Sequence, residues 1–185
     1  MEINKLTRED LVRLLKKPVD PILLDLGCGS KKRDGYIGLD KVSLNGVDIV
    51  ADLESGIPLE DNSVDGVSST HFFEHINNII TLFKEIYRVC KNGSIIEFTV
   101  PYFTSIGAFQ DPTHVRFFNE NTLLYFTINQ PQASEYNIKT NFKILKISYS
   151  YYQPFLKYFP FMSFFRRHFW NIAADMHVKL MVIKE

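Results

Sequence analysis

The chain has 185 residues, 45% of them hydrophobic, which is enough apolar material for one domain with a buried core and argues against disorder. Lysine plus arginine and aspartate plus glutamate number 21 each, so no net charge draws the protein to nucleic acid or anionic lipid. Two cysteines without paired spacing exclude a disulfide framework, and no apolar run approaches the roughly 20 residues of a membrane-spanning helix. We therefore expect one cytoplasmic domain over residues 1–185, and the charged first residues predict no signal peptide.

The first predicted element is a helix that begins after Thr7. Thr7 and Asp10 have the spacing of a capping box, in which each side chain satisfies a backbone group of the other residue. Leu11 and Leu14 supply part of a buried stripe, and Pro18 ends the helix.

The segment Pro21–Ser30, PILLDLGCGS, predicts a buried strand followed by a glycine turn. Asp25 is expected at the carboxyl end of the strand, where open α/β sheets bind their ligands. Gly27 and Gly29 let the backbone turn sharply and approach a ligand without a Cβ in the way. Because strand ends also carry glycines for turns alone, this element by itself fits both a binding site and a simple turn.

Two further strand candidates end in acids, Tyr36–Asp40 and Val47–Leu53, the second of which contains Asp52. Together with Asp25, these acids predict a shared crevice at one edge of the sheet. The interval from Gly27 to Gly35 is shorter than a parallel crossover normally needs, so the usual helix between the first two strands is expected to be cut to a turn or lost.

The remaining pattern alternates strands with a helix. We predict strands over Val64–Thr70 and Ser94–Val100, a helix between them over Asn77–Cys90, and later strands over Phe142–Tyr152 and His177–Lys184. This alternation predicts an α/β fold with a doubly wound, mostly parallel sheet.

The ordered set DLGCG, GLD, ADL and VDGVSSTHFFEH resembles the class I S-adenosylmethionine-dependent methyltransferases, in particular the small type-11-like family. The resemblance implies a Rossmann-like, seven-stranded sheet, methyltransferase activity and S-adenosylmethionine as the cofactor. It also implies roles for individual residues. By this resemblance the glycine turn, with Asp25, Gly27, Cys28 and Gly29, binds the methionine portion of the cofactor. Asp40 binds the ribose, and Asp52 with Leu53 binds the adenine. Thr70 and His71, at the end of strand four, lie beside the methyl donor.

Two histidines are candidates for contact with the methyl acceptor. His114 lies in Gln110–His114, a segment that resembles a DPxH signature of these small methyltransferases, and Asp111 could orient its imidazole. An Asp-Pro turn with a surface histidine is the alternative. His71 would be a wall of the pocket or a base. The basic turn Lys31–Asp34 is either solvated or stacked over the site.

The acceptor is expected to be a small molecule or a glycan, methylated on oxygen without a metal. Nucleic acid is not expected, because Ser69–Phe72 lacks the Asn/Asp-Pro-Pro-aromatic motif typical of enzymes that methylate its amino groups. No acidic ligand is available at Ser68–His71, so no metal is expected.

Two other functions remain open. The stretch His71–His75 matches HxxEH, so a zinc-dependent hydrolase using His71, Glu74 and His75 is one alternative. Such a site requires a helix under both histidines. A non-catalytic, cofactor-binding scaffold is the other.

The region Tyr151–Trp170 is half aromatic, and we predict an aromatic-rich insertion at about residues 151–175. It could cover the core, act as a lid over an apolar acceptor, or contact a membrane through its aromatic and basic side chains. A lipid-linked glycan acceptor would suit the last two, and the protein would then lie at the inner face of the membrane. A homodimer through the same region is a further prediction.

Overall fold

A seven-stranded sheet forms the centre of the protein in the computed structural model, which describes residues 5–127, 133 and 135–184. The strands are β1 (Leu23–Leu26), β2 (Ile37–Asp40), β3 (Ile49–Val50), β4 (Val64–Thr70), β5 (Cys90–Pro101), β6 (Phe142–Tyr151) and β7 (Ala173–Val182). Their order is β3-β2-β1-β4-β5-β7-β6, with β7 antiparallel to both neighbours and the other pairs parallel. The predicted Rossmann-like, mostly parallel sheet is confirmed.

The helices are α1 (Arg8–Leu15), α2 (Ile79–Val89), α3 (Glu120–Leu124) and α4 (Met162–His168). The predicted capping box of α1 is present, with the Thr7 hydroxyl accepting from the Asp10 amide and the Asp10 carboxylate accepting from the Thr7 amide. Short 3-10 turns lie at Phe73–His75, Ile106–Ala108 and Pro154–Tyr158. Within the described ranges, no helix combines the length and the apolar character needed to cross a membrane.

The core lies between the sheet and α2. The inward residues of α2 include Leu82, Phe83 and Ile86, none of which is exposed, as the strong helical periodicity of this segment predicts. Phe83 stacks on Phe126 with ring centroids 4.1 Å apart and meets Phe73 edge-on at 5.4 Å. These aromatic contacts fix the turn at Phe73–His75 against the sheet, close to the ends of its parallel strands.

The opposite face of the sheet carries partly exposed polar side chains. Residues 27–36, all of them described, contain no helix, which confirms the expected loss of the β1–β2 helix. Arg33 lies across this face instead: its amide donates to Asp25 at 2.8 Å, and its guanidinium contacts Ser68 at 3.2 Å and Glu97 at 3.1 Å. Lys32 forms an ion pair of 2.7 Å with Asp48. The basic turn is therefore not simply solvated, because two of its side chains take the place of the helix by pairing across the sheet.

Several boundaries differ from the predictions, and β7 begins at Ala173 rather than His177. β3 has only two residues, because its neighbours on either side form turns, and Asp52 lies in such a turn. Asp25 is the third of four residues in β1 rather than its last residue, and β5 begins at Cys90 rather than Ser94.

The aromatic segment, residues 152–172, connects β6 to β7, so it lies within the predicted insertion. Most of its aromatic side chains face solvent: Tyr158 is 80%, Phe161 81% and Trp170 61% exposed. Met162 and Arg166 are buried and hold α4 to the sheet. The expectation that the aromatic side chains cover the core is therefore wrong for the most exposed of them.

Candidate active site

The turn after β1 requires glycine at its first position. Gly27 has φ +64°, and a Cβ added there would lie 2.2 Å from the ring of Phe72. The Gly27 amide donates to the carbonyl of Leu39 at 2.8 Å, and the Gly29 amide donates to a carboxylate oxygen of Asp40 at 2.9 Å. These two hydrogen bonds connect the turn to the end of β2. The Phe72 ring packs against the backbone of Gly27, where a side chain would otherwise lie.

The acids Asp40 and Asp52 lie at the same edge of the sheet. The Ala51 amide donates to the Asp40 carbonyl at 2.9 Å, which brings the loop after β3 against the end of β2. The second Asp40 oxygen accepts from the Val42 amide at 3.0 Å, and Asp52 accepts from the Glu54 amide at 3.1 Å. Each carboxylate oxygen has more than one lone pair, so both acids can still accept from a ligand.

A cavity of about 480 Å³ opens between these acids and the end of β4. Its wall includes Gly27, Asp40, Asp52, Leu53, His71, Phe72, His75, Thr113 and Val115. This volume is within the usual range for sites that bind small molecules and cofactors.

A second cavity, of about 590 Å³, shares Gly27 with the first and contains the other predicted residues, namely Asp25, Cys28, Gly29 and Thr70. Burial raises the pKa of Asp25, and the hydrogen bond from the Arg33 amide opposes this effect. Burial and the nearby Asp25 and Asp40 raise the pKa of Cys28 to about 11, so its thiol stays protonated and is not a nucleophile at neutral pH.

A strained residue, His71, directly follows β4. His71 has φ +50°, a conformation that few non-glycine residues adopt, and its ring is about half exposed. Its Nδ1 lies 3.2 Å from Oε1 of Glu74, and its Nε2 lies 3.8 Å from Asp175. The hydrogen bond to Glu74 raises the pKa of His71, although partial burial acts in the opposite direction. Glu74 therefore fixes the orientation of this imidazole at the cavity wall.

The segment Asp111–His114 lies directly on the turn at Phe73–His75. The Glu74 carbonyl accepts from the amides of Val115, at 2.9 Å, and Arg116, at 3.1 Å. His75 Nδ1 lies 2.9 Å from the Thr113 hydroxyl, and the His75 and His114 rings meet edge-on with centroids 4.7 Å apart. Two motifs that are distant in sequence thus form one cluster beside the cavity.

Comparison with known proteins identifies the fold. Residues 37–98, about a third of the chain, match the family described as "Methyltransferase domain". A search of curated proteins found no match. Among solved structures, the chain is similar to a SAM-dependent methyltransferase from Archaeoglobus fulgidus, with a TM-score of 0.58 and 20% identity over 94% of this chain and 92% of that chain.

The chain therefore has the fold of class I methyltransferases, and about a third of it matches the methyltransferase domain. It is also similar to a putative methyltransferase of Haloferax volcanii solved in complex with the Trm112 methyltransferase activator (TM-score 0.58, 16% identity, 89% of this chain and 83% of that chain). The [4+2]-cyclase SpnF gives the same TM-score at 16% identity, over 88% of this chain and 75% of that chain. Since these identities are low, the structural similarities show the shared fold and do not transfer a substrate.

The residues present fit S-adenosylmethionine, the cofactor that the match to a methyltransferase domain implies. Carboxylates suit the ribose hydroxyls and the adenine amine, both of which are hydrogen-bond donors. Asp40 and Asp52 lie in one cavity with the apolar Leu53, and Gly27 of the glycine turn lines the same cavity with its bare backbone.

The predicted pairing of Asp111 with His114 is not a hydrogen bond in this structure. Asp111 Oδ2 lies 4.0 Å from His114 Nε2, which is too long. His114 is instead held through Nδ1 by the Ala108 carbonyl at 3.1 Å, and Asp111 accepts from the amide and hydroxyl of Thr113. The Thr113 hydrogen bonds lower the pKa of Asp111. Asp111 thus contacts the cluster through Thr113.

The zinc-hydrolase alternative needs His71 and His75 on one face of an α-helix. The described residues 71–75 do not form one: His71 adopts the left-handed conformation, and only Phe73–His75 form a 3-10 turn. That interpretation of HxxEH is therefore wrong. The role of Glu74 in orienting His71 was not recognised from the sequence, although the spacing of three residues was visible.

Proposed function

We propose that this methyltransferase transfers the methyl group of S-adenosylmethionine to an oxygen of a small-molecule or glycan-like acceptor. The observation that supports this proposal is the single cavity that has Asp40 and Asp52 at one end and the histidine wall at the other. Asp40 would bind the ribose hydroxyls, and Asp52 the adenine amine with Leu53 against the ring. Thr70 and His71, at the end of β4, would lie beside the methyl donor.

The transfer needs little from the protein beyond alignment, because the cofactor supplies a methyl group on a sulfonium that becomes a neutral thioether. The acceptor oxygen would form the new O–C bond as the S–C bond breaks, and the hydroxyl proton would pass to the imidazole of His71. His71 would hydrogen-bond this hydroxyl through Nε2, a role supported by the contact of its Nδ1 with Glu74 and by its half-exposed ring. His114 and Asp111, the other predicted catalytic residues, do not line the cavity; they contact two residues of its wall, His114 through the His75 ring and Asp111 through Thr113.

Calorimetric titration with S-adenosylmethionine and S-adenosylhomocysteine tests this proposal without knowledge of the acceptor. Asp40→Ala should weaken binding about 10- to 100-fold, because it removes a charged acceptor and frees the Gly29 amide. Glu60→Ala, which changes an exposed acid outside the cavity, is the matched control and should bind like the wild type.

No binding by the wild-type protein, or equal binding by Asp40→Ala, would overturn the assignment of the cofactor site. Binding without methyl transfer to any of a panel of sugars, glycans and phenols would favour the non-catalytic scaffold. Transfer to nitrogen or carbon in that panel would contradict O-methylation.

We further propose that the aromatic segment contacts a membrane surface peripherally, where a lipid-linked glycan acceptor would be presented. Its exposed aromatic side chains suit the headgroup region, and Lys157 and Arg167 suit anionic lipid. No aspartate or glutamate occurs between Glu135 and Asp175, and the one carboxylate paired with the arginines of this segment, Glu120, is mostly buried. A homodimer, or a protein partner such as the Haloferax protein has, would be the competing occupant of this surface.

A further inference from the structure

A group of three metal-ligating side chains lies beside the cavity, apart from the acids of the cofactor site. Glu74, His75 and His114 each offer one ligand atom, and these atoms lie within 4.8 Å of one another. Two imidazole nitrogens and one carboxylate oxygen form a ligand set that suits Zn²⁺ and neighbouring divalent first-row ions. From this group and the contacts that surround it, we infer a divalent-cation site on Glu74, His75 and His114.

The hydrogen bonds of His75 fix which of its nitrogens is free. The Thr113 hydroxyl donates its single hydrogen to Asp111 at 2.7 Å, so its oxygen accepts from His75 Nδ1 at 2.9 Å. Nδ1 therefore carries the proton in the neutral ring, and Nε2 presents a lone pair.

The same reasoning applies to His114. Its Nδ1 lies 3.1 Å from the Ala108 carbonyl, which can only accept, so this nitrogen is the donor and Nε2 is again the free atom. Histidines that bind metals almost always donate their other ring N–H to a carbonyl, carboxylate or similar acceptor. Both rings are thus already in the tautomer that a cation requires.

Glu74 supplies the observation that points most directly to a ligand. The residue is only 1% exposed, and while Oε1 pairs with His71, Oε2 has no hydrogen-bond partner within the described part of the chain. A buried carboxylate oxygen without a partner is costly. A cation bound between Oε2 and the two imidazoles would satisfy it.

The backbone holds the three ligands on two segments that are already docked. Amides of Val115 and Arg116 donate to the Glu74 carbonyl, and the Arg116 guanidinium donates to the carbonyls of Ile76 and Asn77. Zinc–nitrogen distances of about 2.0–2.1 Å imply donor separations of about 3.3 Å in a tetrahedron, so the ligands must approach each other by roughly 1.5 Å at most. A rotation of the side chains on this frame can supply that movement.

Three protein ligands leave an open position, as in catalytic rather than structural zinc sites. His75 and Thr113 line the cavity, so the site borders the space proposed for the acceptor. An acceptor oxygen bound there would lose its proton more readily. This consequence rests on the proposed function, whereas the binding of the cation does not. His114 then acts as a ligand instead of the base expected from the sequence, and Asp111 orients His75 through Thr113.

The test is titration of metal-stripped protein with Zn²⁺ by calorimetry and with Co²⁺ by visible absorption. We expect one cation per chain and cobalt bands typical of a four- or five-coordinate site. Glu74→Gln and His114→Ala should each weaken binding at least about 100-fold, and Thr113→Val, which removes only the hydroxyl that orients His75, about tenfold. His177→Ala changes a half-buried histidine that bonds Thr99 on β5 and should bind like the wild type.

Circular dichroism and thermal unfolding show whether each variant folds, and Thr113→Val and His114→Ala remain informative if Glu74→Gln does not. Absence of stoichiometric binding, or equal binding by the folded variants, would overturn the proposal. Because S-adenosylmethionine binding is measured separately, a chain that binds the cation but not the cofactor would refute the proposed function alone. Methyl transfer that resists chelation would refute only the catalytic consequence.

Discussion

At the scale of single residues, Gly27 shows how one missing Cβ shapes the site. Its positive φ disfavours other residues, but that cost is shared by glycines elsewhere in the chain. What is particular to Gly27 is the Phe72 ring, which lies where a side chain would have to go. A larger residue must displace Phe72, and with it the start of the turn that carries Glu74 and His75.

We therefore expect Gly27→Ala to weaken S-adenosylmethionine binding by more than tenfold, because both the turn and the cavity wall must shift. Calorimetry on the folded variant measures this change. Gly93→Ala is the matched control, since Gly93 also has a positive φ but nothing lies within 4 Å of its added Cβ. If the two variants lose stability equally and both retain cofactor affinity, backbone strain alone explains the glycine.

The sequence predicted which acids and glycines meet at the edge of the sheet better than it predicted the contacts of Glu74 and Thr113. Gly27, Asp40 and Asp52 follow strands directly, so the topology of a parallel sheet brings them together once the strands are recognised. Glu74 and Thr113 act through contacts between segments far apart in the chain. Such contacts depend on how a turn docks on a loop, and hydrophobic periodicity carries no information about that.

At the scale of elements, α4 is held to the sheet by one charged side chain. Arg166 donates to Glu120 at 2.9 Å and lies over the Tyr149 ring at 3.6 Å, while the Tyr149 hydroxyl donates to the same carboxylate at 2.6 Å. Burial alone would raise the pKa of Glu120, but the hydrogen bonds from Tyr149 and Arg166 outweigh it and lower this pKa to about 2. The aromatic segment thus depends on an ion pair that is mostly buried.

Glu120→Gln should lower the free energy of unfolding at pH 7 by on the order of 2 kcal/mol. The folded-state pKa lies below the ordinary 4.5, so the contribution of Glu120 is complete above that value and is lost as pH falls from about 4.5 toward 2. The difference in the free energy of unfolding between wild type and variant, measured by urea titration, should become smaller as pH falls over this range. Glu9→Gln, at an exposed pair on α1, should show no comparable effect, and a pH-independent difference would contradict this account.

The aromatic segment itself predicts binding to vesicles. The wild type should co-sediment with vesicles that contain phosphatidylglycerol, and the double variant Phe161→Ser, Trp170→Ser should bind about tenfold more weakly, because two largely exposed aromatic side chains are removed. Tyr136→Ser, at an exposed tyrosine before β6, is the control. Wild-type protein that stays in the supernatant at low salt would exclude membrane contact, and a dimer by light scattering that the double variant abolishes would favour the homodimer.

The composition of this segment showed its high aromatic content, but it did not show that most of the aromatic side chains face solvent. Aromatic residues usually lie inside, and nothing in the sequence distinguishes a ring that packs on β6 from one that faces solvent. The distinction follows from α4, whose seven residues are anchored mainly through Met162 and Arg166 and leave neighbouring rings outside.

At the scale of the whole molecule, the fold was predictable because strand patterns and acids occur in a fixed order along the chain. The seven-stranded sheet and the missing β1–β2 helix follow from that order and from the length of one link. The hydrogen bonds of Arg33 that replace the helix could not be predicted from the order of the strands or from the length of the link. Arg33 reaches Ser68 and Glu97 on strands that are distant in sequence, so its role appears only when β4 and β5 lie beside β1.

The position of β7 has a consequence for how the chain is made. β7 lies between β5 and β6 and pairs with both, although it follows them in the chain. On the ribosome, β5 and β6 emerge without the strand that joins them, and each presents an unpaired edge until residues 173–182 have been synthesised. The nascent protein is therefore most exposed to wrong association late in translation, when a chaperone that shields strand edges would be of greatest use.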